Sequence, residues 1–235
     1  MNVTLSDGTE VTVSLFDIEH MILSLLSDKS LMKDENLAPG YDIFTGDVDE
    51  NHTHNQNYGE IHTGDAWTEA RNHYCGIDGK NMPIALIIFG DKTHTDLHGS
   101  LSVTPIIFTL SLFNKSAQNN PSFWRPLAYI PNLSHGRGKT NKTKPITKCQ
   151  DEHACLALAF KDLCDLHKKK RGMKMCVKNQ FVTGQVWIHF FIGDTMGFNT
   201  WLGHYNSSSN TKRPYKDCHC NYSKIGNPNM NCTYM

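Results

Sequence analysis

Two apolar, β-branched runs separated by a short polar segment fill the stretch MPIALIIFGDKTHTDLHGSLSVTPIIFTLSLF, from Met82 to Phe113. The runs cover residues 84–89 and 105–113, and Gly and Pro residues bound them. Short apolar runs of this kind are typical of strands that are buried on both faces of a sheet. Asp91 follows the first run after a single glycine, so its carboxylate is expected at the edge of a rigid sheet, where open sheets usually place their chemistry.

A later strand ends in the same way. Residues 181–193, FVTGQVWIHFFIG, form an apolar run that Asp194 follows, so FGD at Asp91 has a counterpart in IGD at Asp194. If a helix between the two strands makes a right-handed crossover, the strands lie parallel and both aspartates emerge at one sheet edge. Paired carboxylates bind Mg²⁺ or Mn²⁺ and activate water in phosphodiester cleavage. The structural alternative is that Asp commonly starts turns at strand ends.

The second half of the chain predicts the element order strand, strand, strand, helix, strand. Residues 123–130 predict the third strand. Residues 151–167 predict the helix, because acidic residues stand at its start and a basic run follows its end. This order predicts an α/β fold with a mixed sheet.

The first half of the chain predicts a hairpin followed by a helix. Residues 3–13 alternate apolar and polar side chains around Asp7-Gly8, and Gly supplies the positive φ of a tight turn. Ser14 and Asp17 resemble a helix-capping pair. Residues 27–65 show no sustained period and predict loop or accessory structure.

The formal net charge of zero hides an uneven distribution of charge. Residues 1–80 hold fifteen Asp and Glu against four Lys and Arg, whereas residues 81–235 hold eight against nineteen. The basic half predicts a cationic surface that binds DNA or the acidic first half. The candidate DNA contacts are Arg137, Lys139, Lys142, Lys144, Lys168, Lys169, Lys170 and Arg171. The alternative is that these basic residues only form a solvated surface, and the cluster after the helix also complements the helix dipole.

The C-terminal segment contains candidate ligands for a structural Zn²⁺. Cys218, Cys220 and Cys232, with His204 or His219, supply the thiolates and imidazole that zinc prefers. The Cys-x-Cys spacing is tighter than usual, so unligated thiols are an equal alternative.

A second metal hypothesis concerns the polar segment HTDLH, which holds His94, Asp96 and His98. Neutral imidazole and carboxylate suit Zn²⁺, which would make the protein a His/Asp metallohydrolase. No later histidine cluster completes such a site, and a turn held by side-chain hydrogen bonds is the preferred interpretation.

The sequence predicts an intracellular, reduced protein. It contains no run of eighteen apolar residues, so no transmembrane helix is expected, and its first residues lack the pattern of a signal peptide. Eight cysteines and eight Asn-x-Ser/Thr triplets would suit a secreted chain, but without a signal they are interpreted as compositional.

Three segments resemble transposases of the Plavaka and Kyakuja–Dileera–Zisupton type of DNA transposon. They are PIALIIFGDKTHTDLHGSLSVTPIIFTL, FWRPLAYIPN and FFIGDTMGFNTWLGHYN followed by CHC. The resemblance covers roughly residues 82–220, and Asp-Lys-Thr followed by the Pro-led strand is its most distinctive part. It implies a ribonuclease H-like core that uses three metal-binding acidic residues to cut and rejoin DNA.

In this resemblance Asp91 matches the first acidic position and Asp194 the second. The third has no match, since Asp217 is the one carboxylate after Asp194 and its segment does not resemble a helix. The core is therefore expected to be incomplete, as a truncated or inactive transposase in the nucleus or elsewhere inside the cell. The expected regions are an acidic accessory part (1–80), the partial core (81–194) and a Cys-containing insertion or tail (195–235). A non-catalytic DNA-binding remnant is the main alternative.

Overall fold

The computed structural model describes residues 1–49, 61–76, 81–95, 102–133, 145–168 and 172–193. The strands within these ranges are β1 (Asn2–Thr4), β2 (Glu10–Thr12), β3 (Ser14–Leu15), β4 (Met82–Gly90), β5 (Thr93–His94), β6 (Ser102–Leu110), β7 (Arg125–Pro131), β8 (Met173–Val177) and β9 (Gln180–Ile192). The helices are α1 (Ile18–Leu26), α2 (Asp65–Cys75), α3 (Lys115–Gln118), α4 (Pro145–Ala159) and α5 (Lys161–Lys168), and short 3₁₀ turns lie at Asp34–Asn36, Ile61–Thr63 and Pro121–Phe123.

Seven of the strands form one mixed sheet. Its order is β3-β7-β6-β4-β9-β8, and β5 pairs with β6. The β4–β9 pairing is parallel, and the other pairings in the sheet are antiparallel. Because β6 runs against both of its neighbours, β4, β7 and β9 all run in one direction. The predicted mixed α/β fold is confirmed, with the helices α4 and α5 between the third strand and β9.

The sequence did not reveal strand β8, which forms a hairpin with β9. Its turn is Lys178-Asn179, with φ of 46° and 65°, the left-handed conformation that suits a two-residue hairpin.

The Lys178 ammonium also lies 2.7 Å from the Asp34 carboxylate. The pair lowers the pKa of Asp34, first through the hydrogen bond and then through the charge of Lys178.

Helices cover both faces of the central strands. On one face, the ring centroid of Trp187 in β9 lies 5.7 Å from that of Trp67 in α2. On the opposite face, the ring centroid of Phe191 lies 5.8 Å from that of Phe160, at the junction of α4 and α5. Since both faces are covered, β4 is buried along nearly its whole length, as its unbroken apolar run predicts.

The N-terminal hairpin and helix are confirmed, but the helix cap differs from the prediction. Asp17 caps α1 by accepting a hydrogen bond from the backbone N–H of His20 at 2.9 Å. Ser14 is not the cap, because it lies in β3 and pairs with Tyr129 of β7. The hairpin is held against α4 by the buried carboxylate of Asp151, which accepts hydrogen bonds from the backbone N–H and the hydroxyl of Ser6, each at 2.8 Å.

The described part of the irregular segment 27–65 contributes to the hydrophobic core. Its buried apolar residues are Leu31, Met32, Leu37, Ala38, Tyr41 and Ile43. Leu37 forms an isolated bridge with Phe113, directly beyond β6. The segment therefore packs against the sheet, although its sequence has no helical or strand period. The boundary at residue 80 stays a prediction.

The helix predicted at 151–167 is longer and divided. It begins at Pro145, and α4 gives way to α5 at Phe160. The backbone N–H groups of Phe160 and Cys164 still donate to carbonyls four residues earlier, at 2.9 Å, so the chain keeps its helical course. Cys164 in α5 is exposed. No helix in the described ranges is long and apolar enough to cross a membrane.

His62 lies buried in an aromatic cluster under α2. Its ring stacks on Tyr41 at 3.9 Å and meets the edge of Trp67 at 4.5 Å. Only 4% of its surface is exposed, and neither ring nitrogen has a hydrogen-bond partner among the described residues. Burial, with a smaller contribution from His189, lowers the pKa of His62 to about 3.

We expect His62 to make the fold sensitive to acid. The unfolded chain protonates His62 near its ordinary pKa of about 6.5, whereas the folded chain keeps the ring neutral down to about pH 3. Above about pH 6.5 the imidazole is neutral in both states, and the stability that depends on neutral His62 is fully present. As the pH falls toward about 3, the free energy of unfolding decreases by about 1.4 kcal/mol for each pH unit. Urea unfolding of His62→Phe between about pH 7 and pH 4 should show a shallower decline than the parent. His73→Gln, at an exposed position of α2, is the control, and equal slopes for His62→Phe and parent would contradict the expectation.

Gly184 lies where β4, β9 and β8 meet, and a side chain there would force its neighbours to shift. A Cβ at this position would overlap the side-chain ends of Met175 and Ile84. We expect Gly184→Val to lower the free energy of unfolding by about 1–3 kcal/mol, because overpacking a core forces its neighbours to move. Met175→Ala should recover part of that loss, measured by urea unfolding. A Gly184→Val protein with the parental free energy of unfolding would show that the neighbouring side chains make room for valine without cost.

Candidate functional site at the sheet edge

The carboxyl ends of β4, β7 and β9 lie at one edge of the sheet, because the three strands run in the same direction. Asp91 and Lys92 follow β4, and Asn132 follows β7. The ammonium of Lys92 donates a hydrogen bond to the side-chain oxygen of Asn132 at 3.3 Å, across the end of β6. The three residues therefore belong to one cluster, which we call the edge cluster.

Asp91 is half-buried, and its carboxylate is available to a ligand. No described residue gives it a hydrogen bond or an ion pair. Successive residues of an extended chain point to opposite sides, and the Lys92 ammonium is accordingly engaged with Asn132. An unpaired carboxylate at a strand end is suited to binding a hard cation such as Mg²⁺ or Mn²⁺.

A β-bulge in β9 sets the register at this edge. Leu86 pairs with Ile188, but the next residue of β4, Ile87, pairs with Phe190, so His189 is an extra residue in β9. The pairing then continues to Phe89 opposite Ile192. Bulges of this kind re-aim side chains and are frequent beside functional sites.

Apolar surface borders the edge on the side of Phe89. Ile192 is opposite Phe89 in the parallel pair, and cross-strand partners share a face. Phe190 lies two residues earlier on that face, and the two β9 side chains are 44% (Phe190) and 47% (Ile192) exposed. The ring of Trp124 lies 6.5 Å from that of Phe89. Asp91 thus follows a strand whose end borders a partly exposed apolar surface.

The second predicted acidic residue, Asp194, lies outside the described residues, as do Asp96 and His98. Thr93 and His94 form β5 and pair with β6, so the backbone is extended at His94, the first residue of the HTDLH segment. The turn over the rest of that segment stays a prediction. The side chain of His94 is not among those described.

Most of the predicted DNA and zinc contacts also fall outside the described residues. Lys168 ends α5, without a described side chain. The others outside are Arg137, Lys139, Lys142, Lys144, Lys169, Lys170, Arg171, His204, Cys218, Cys220 and Cys232. Within the ranges the structure describes, no group of three or more His, Cys, Asp or Glu could hold a metal ion.

The sequence interpretation missed the contact between Lys92 and Asn132. Both residues follow apolar strands directly, so the signal was present in the strand ends. It could be used only with the knowledge that β4 and β7 run in the same direction, which depends on how β6 lies between them.

Comparison with known families gives a positive result. A family model described as Plavaka transposase matches residues 3–198. The chain belongs to the Plavaka transposase family. No curated protein and no solved structure matches it. The match confirms the resemblance, and it extends further toward the N-terminus than the three segments that suggested it, into the hairpin and α1. Transposases of the family act on DNA, so this Plavaka chain has a transposase-derived function.

Proposed function

We propose that this chain is the metal-dependent core of a Plavaka transposase, a ribonuclease H-like domain that cuts and joins DNA with Asp91 and Asp194. The observation that carries the proposal is the end of the β4–β9 pairing, where Phe89 lies opposite Ile192. Each of these residues is followed by Gly-Asp in the sequence. If the register continued for two more residues, Asp91 and Asp194 would lie side by side.

The bulge at His189 supports this pairing of aspartates. At its start the register pairs Met82 with Gly184, and continued without the bulge it would bring Asp91 opposite Gly193. Asp194 would then fall one position further on and point to the other side of the sheet, because side chains alternate. With the extra residue, a continued register would put the two carboxylates opposite each other, as a shared metal ion would require.

The chemistry of the site follows from its donors. Two carboxylates would hold Mg²⁺ or Mn²⁺, which stabilises the charge that develops on the phosphate and lowers the pKa of bound water. The half-buried position and lack of a described partner of Asp91 are consistent with such a ligand. The role of the chain is to fix the carboxylates on rigid strands, so that little reorganisation is needed on metal binding.

The fold and composition support the rest of the proposal. β4, β6 and β7 are followed by α4 and α5 and, after the additional strand β8, by β9 parallel to β4. Apart from β8 and the short β5, this is the order strand, strand, strand, helix, strand that the family resemblance implies for a ribonuclease H-like core. The basic residues in 137–144 and 168–171 would contact DNA phosphates. A protein acting on chromosomal DNA in this way would work in the nucleus. Cys218, Cys220, Cys232 and His204 would hold a structural Zn²⁺ in the segment beyond the core.

The metal site is tested with Mn²⁺ and two isosteric variants. We expect Asp91→Asn and Asp194→Asn each to weaken Mn²⁺ binding by at least about tenfold, because each removes one anionic ligand. Titration calorimetry or electron paramagnetic resonance of free Mn²⁺ measures the affinity. Glu69→Gln, which neutralises an exposed carboxylate of α2, should leave it unchanged.

The same variants separate an active enzyme from a remnant. An active core cuts a DNA substrate with Mn²⁺ and loses that activity in both variants. Salt-sensitive DNA binding without cleavage under any divalent metal would identify a non-catalytic DNA-binding remnant. Unchanged Mn²⁺ affinity in Asp91→Asn would refute the assignment of the metal site.

A further inference from the structure

We infer that Lys92, held in place by Asn132, binds a phosphate of the DNA backbone next to the one that reacts. The inference rests on the proposed function for its choice of ligand. The contact that suggests it is the 3.3 Å hydrogen bond from the Lys92 ammonium to the Asn132 side-chain oxygen, at the end of the sheet that carries Asp91.

The charge of Lys92 is not cancelled by a described residue, whereas three other lysines lie close to a carboxylate. Lys33 lies 3.6 Å from Glu35, Lys161 lies 3.1 Å from Asp165, and Lys178 lies 2.7 Å from Asp34. Lys92 has instead the neutral amide of Asn132 as its partner. An amide oxygen orients an ammonium without neutralising it, so the full positive charge stays available to an anion.

Asn132 is itself fixed by the packing around it. It follows Pro131, which pairs with Val103 of β6, and it precedes Leu133, whose side chain is 7% exposed. Asn132 is half-buried, whereas Lys92 is exposed. A rigid acceptor therefore limits the conformations of a long, flexible side chain, and this lowers the entropy that lysine loses when it binds.

The position of Lys92 selects the ligand. It directly follows Asp91, but its side chain points to the other side of the extended chain. The two side chains therefore serve different groups: a cation at Asp91 and an anion at Lys92. DNA lying across the sheet edge presents successive phosphates, so a backbone whose reacting phosphate is at Asp91 would present a neighbouring phosphate to Lys92.

The test measures DNA affinity against salt concentration, in chelator, so that metal binding does not contribute. Each phosphate contact adds about 0.9 to the slope of log affinity against log salt. We expect Lys92→Gln to lower this slope by about 0.9 and the affinity several-fold, whatever the DNA sequence. Lys33→Gln removes the same charge from a lysine paired with Glu35 and should leave the slope unchanged.

Two further variants test the role of Asn132 and guard against a folding defect. Lys92→Arg keeps the charge and should keep the slope. Asn132→Ala should weaken DNA binding in the parent protein. In Lys92→Gln it should have no additional effect, because the ammonium that Asn132 orients is already absent. Circular dichroism and urea unfolding of every variant should match the parent, because both side chains lie at the sheet edge outside the buried core.

An unchanged slope in Lys92→Gln would overturn the inference, as would a parent protein that does not bind DNA. If Asn132→Ala lowered the DNA affinity equally in the parent and in Lys92→Gln, the proposal that Asn132 orients Lys92 would be wrong. The result is independent of the metal test: Lys92→Gln should retain the parental Mn²⁺ affinity. If Lys92→Gln lowered the salt slope while Asp91→Asn kept the parental Mn²⁺ affinity, the phosphate contact would be supported and the metal site refuted.

Discussion

The parallel pairing of β4 with β9 is the constraint on which the rest of the structure depends. It joins residues about a hundred positions apart in the chain, from Met82 opposite Gly184 to Phe89 opposite Ile192. Closing such a long loop is costly in entropy, and the burial of two apolar strands against helices on both faces must compensate. The pairing also decides where the strand ends meet, so the same contacts that stabilise the core position the edge cluster.

The bulge at His189 connects the packing of the core with the register of the sheet edge. A shift of one position reverses which face every later side chain occupies. In β9, the extra residue keeps Trp187 packed on Trp67 while it brings Ile192 opposite Phe89. His189 also approaches Trp67, at 5.4 Å, and burial lowers the pKa of its imidazole. The bulge is therefore part of the aromatic cluster around His62, and a register change would disturb that cluster as well as the sheet edge.

Sequence alone predicted the features that depend on local pattern. The apolar runs predicted β4, β6 and β9, and the Asp7-Gly8 turn predicted the N-terminal hairpin. It missed strand β8, because a five-residue strand with alternating burial resembles a loop next to a basic run. The edge cluster was half predicted: Asp91 stands after a strand, but Lys92 and Asn132 meet only through strand directions that no local pattern encodes.

The arrangement of charge at the edge explains why an acid and a base can be adjacent without cancelling each other. An exposed ion pair gains only about 0–1 kcal/mol, so an amide partner and an extended backbone are enough to keep Lys92 from Asp91. A lysine in contact with Asp91 would compete with a metal cation for the carboxylate and would be less available to a phosphate. In the proposed site, Asn132 would hold the ammonium to one side, so that a metal ion at Asp91 and a phosphodiester at Lys92 would bind together.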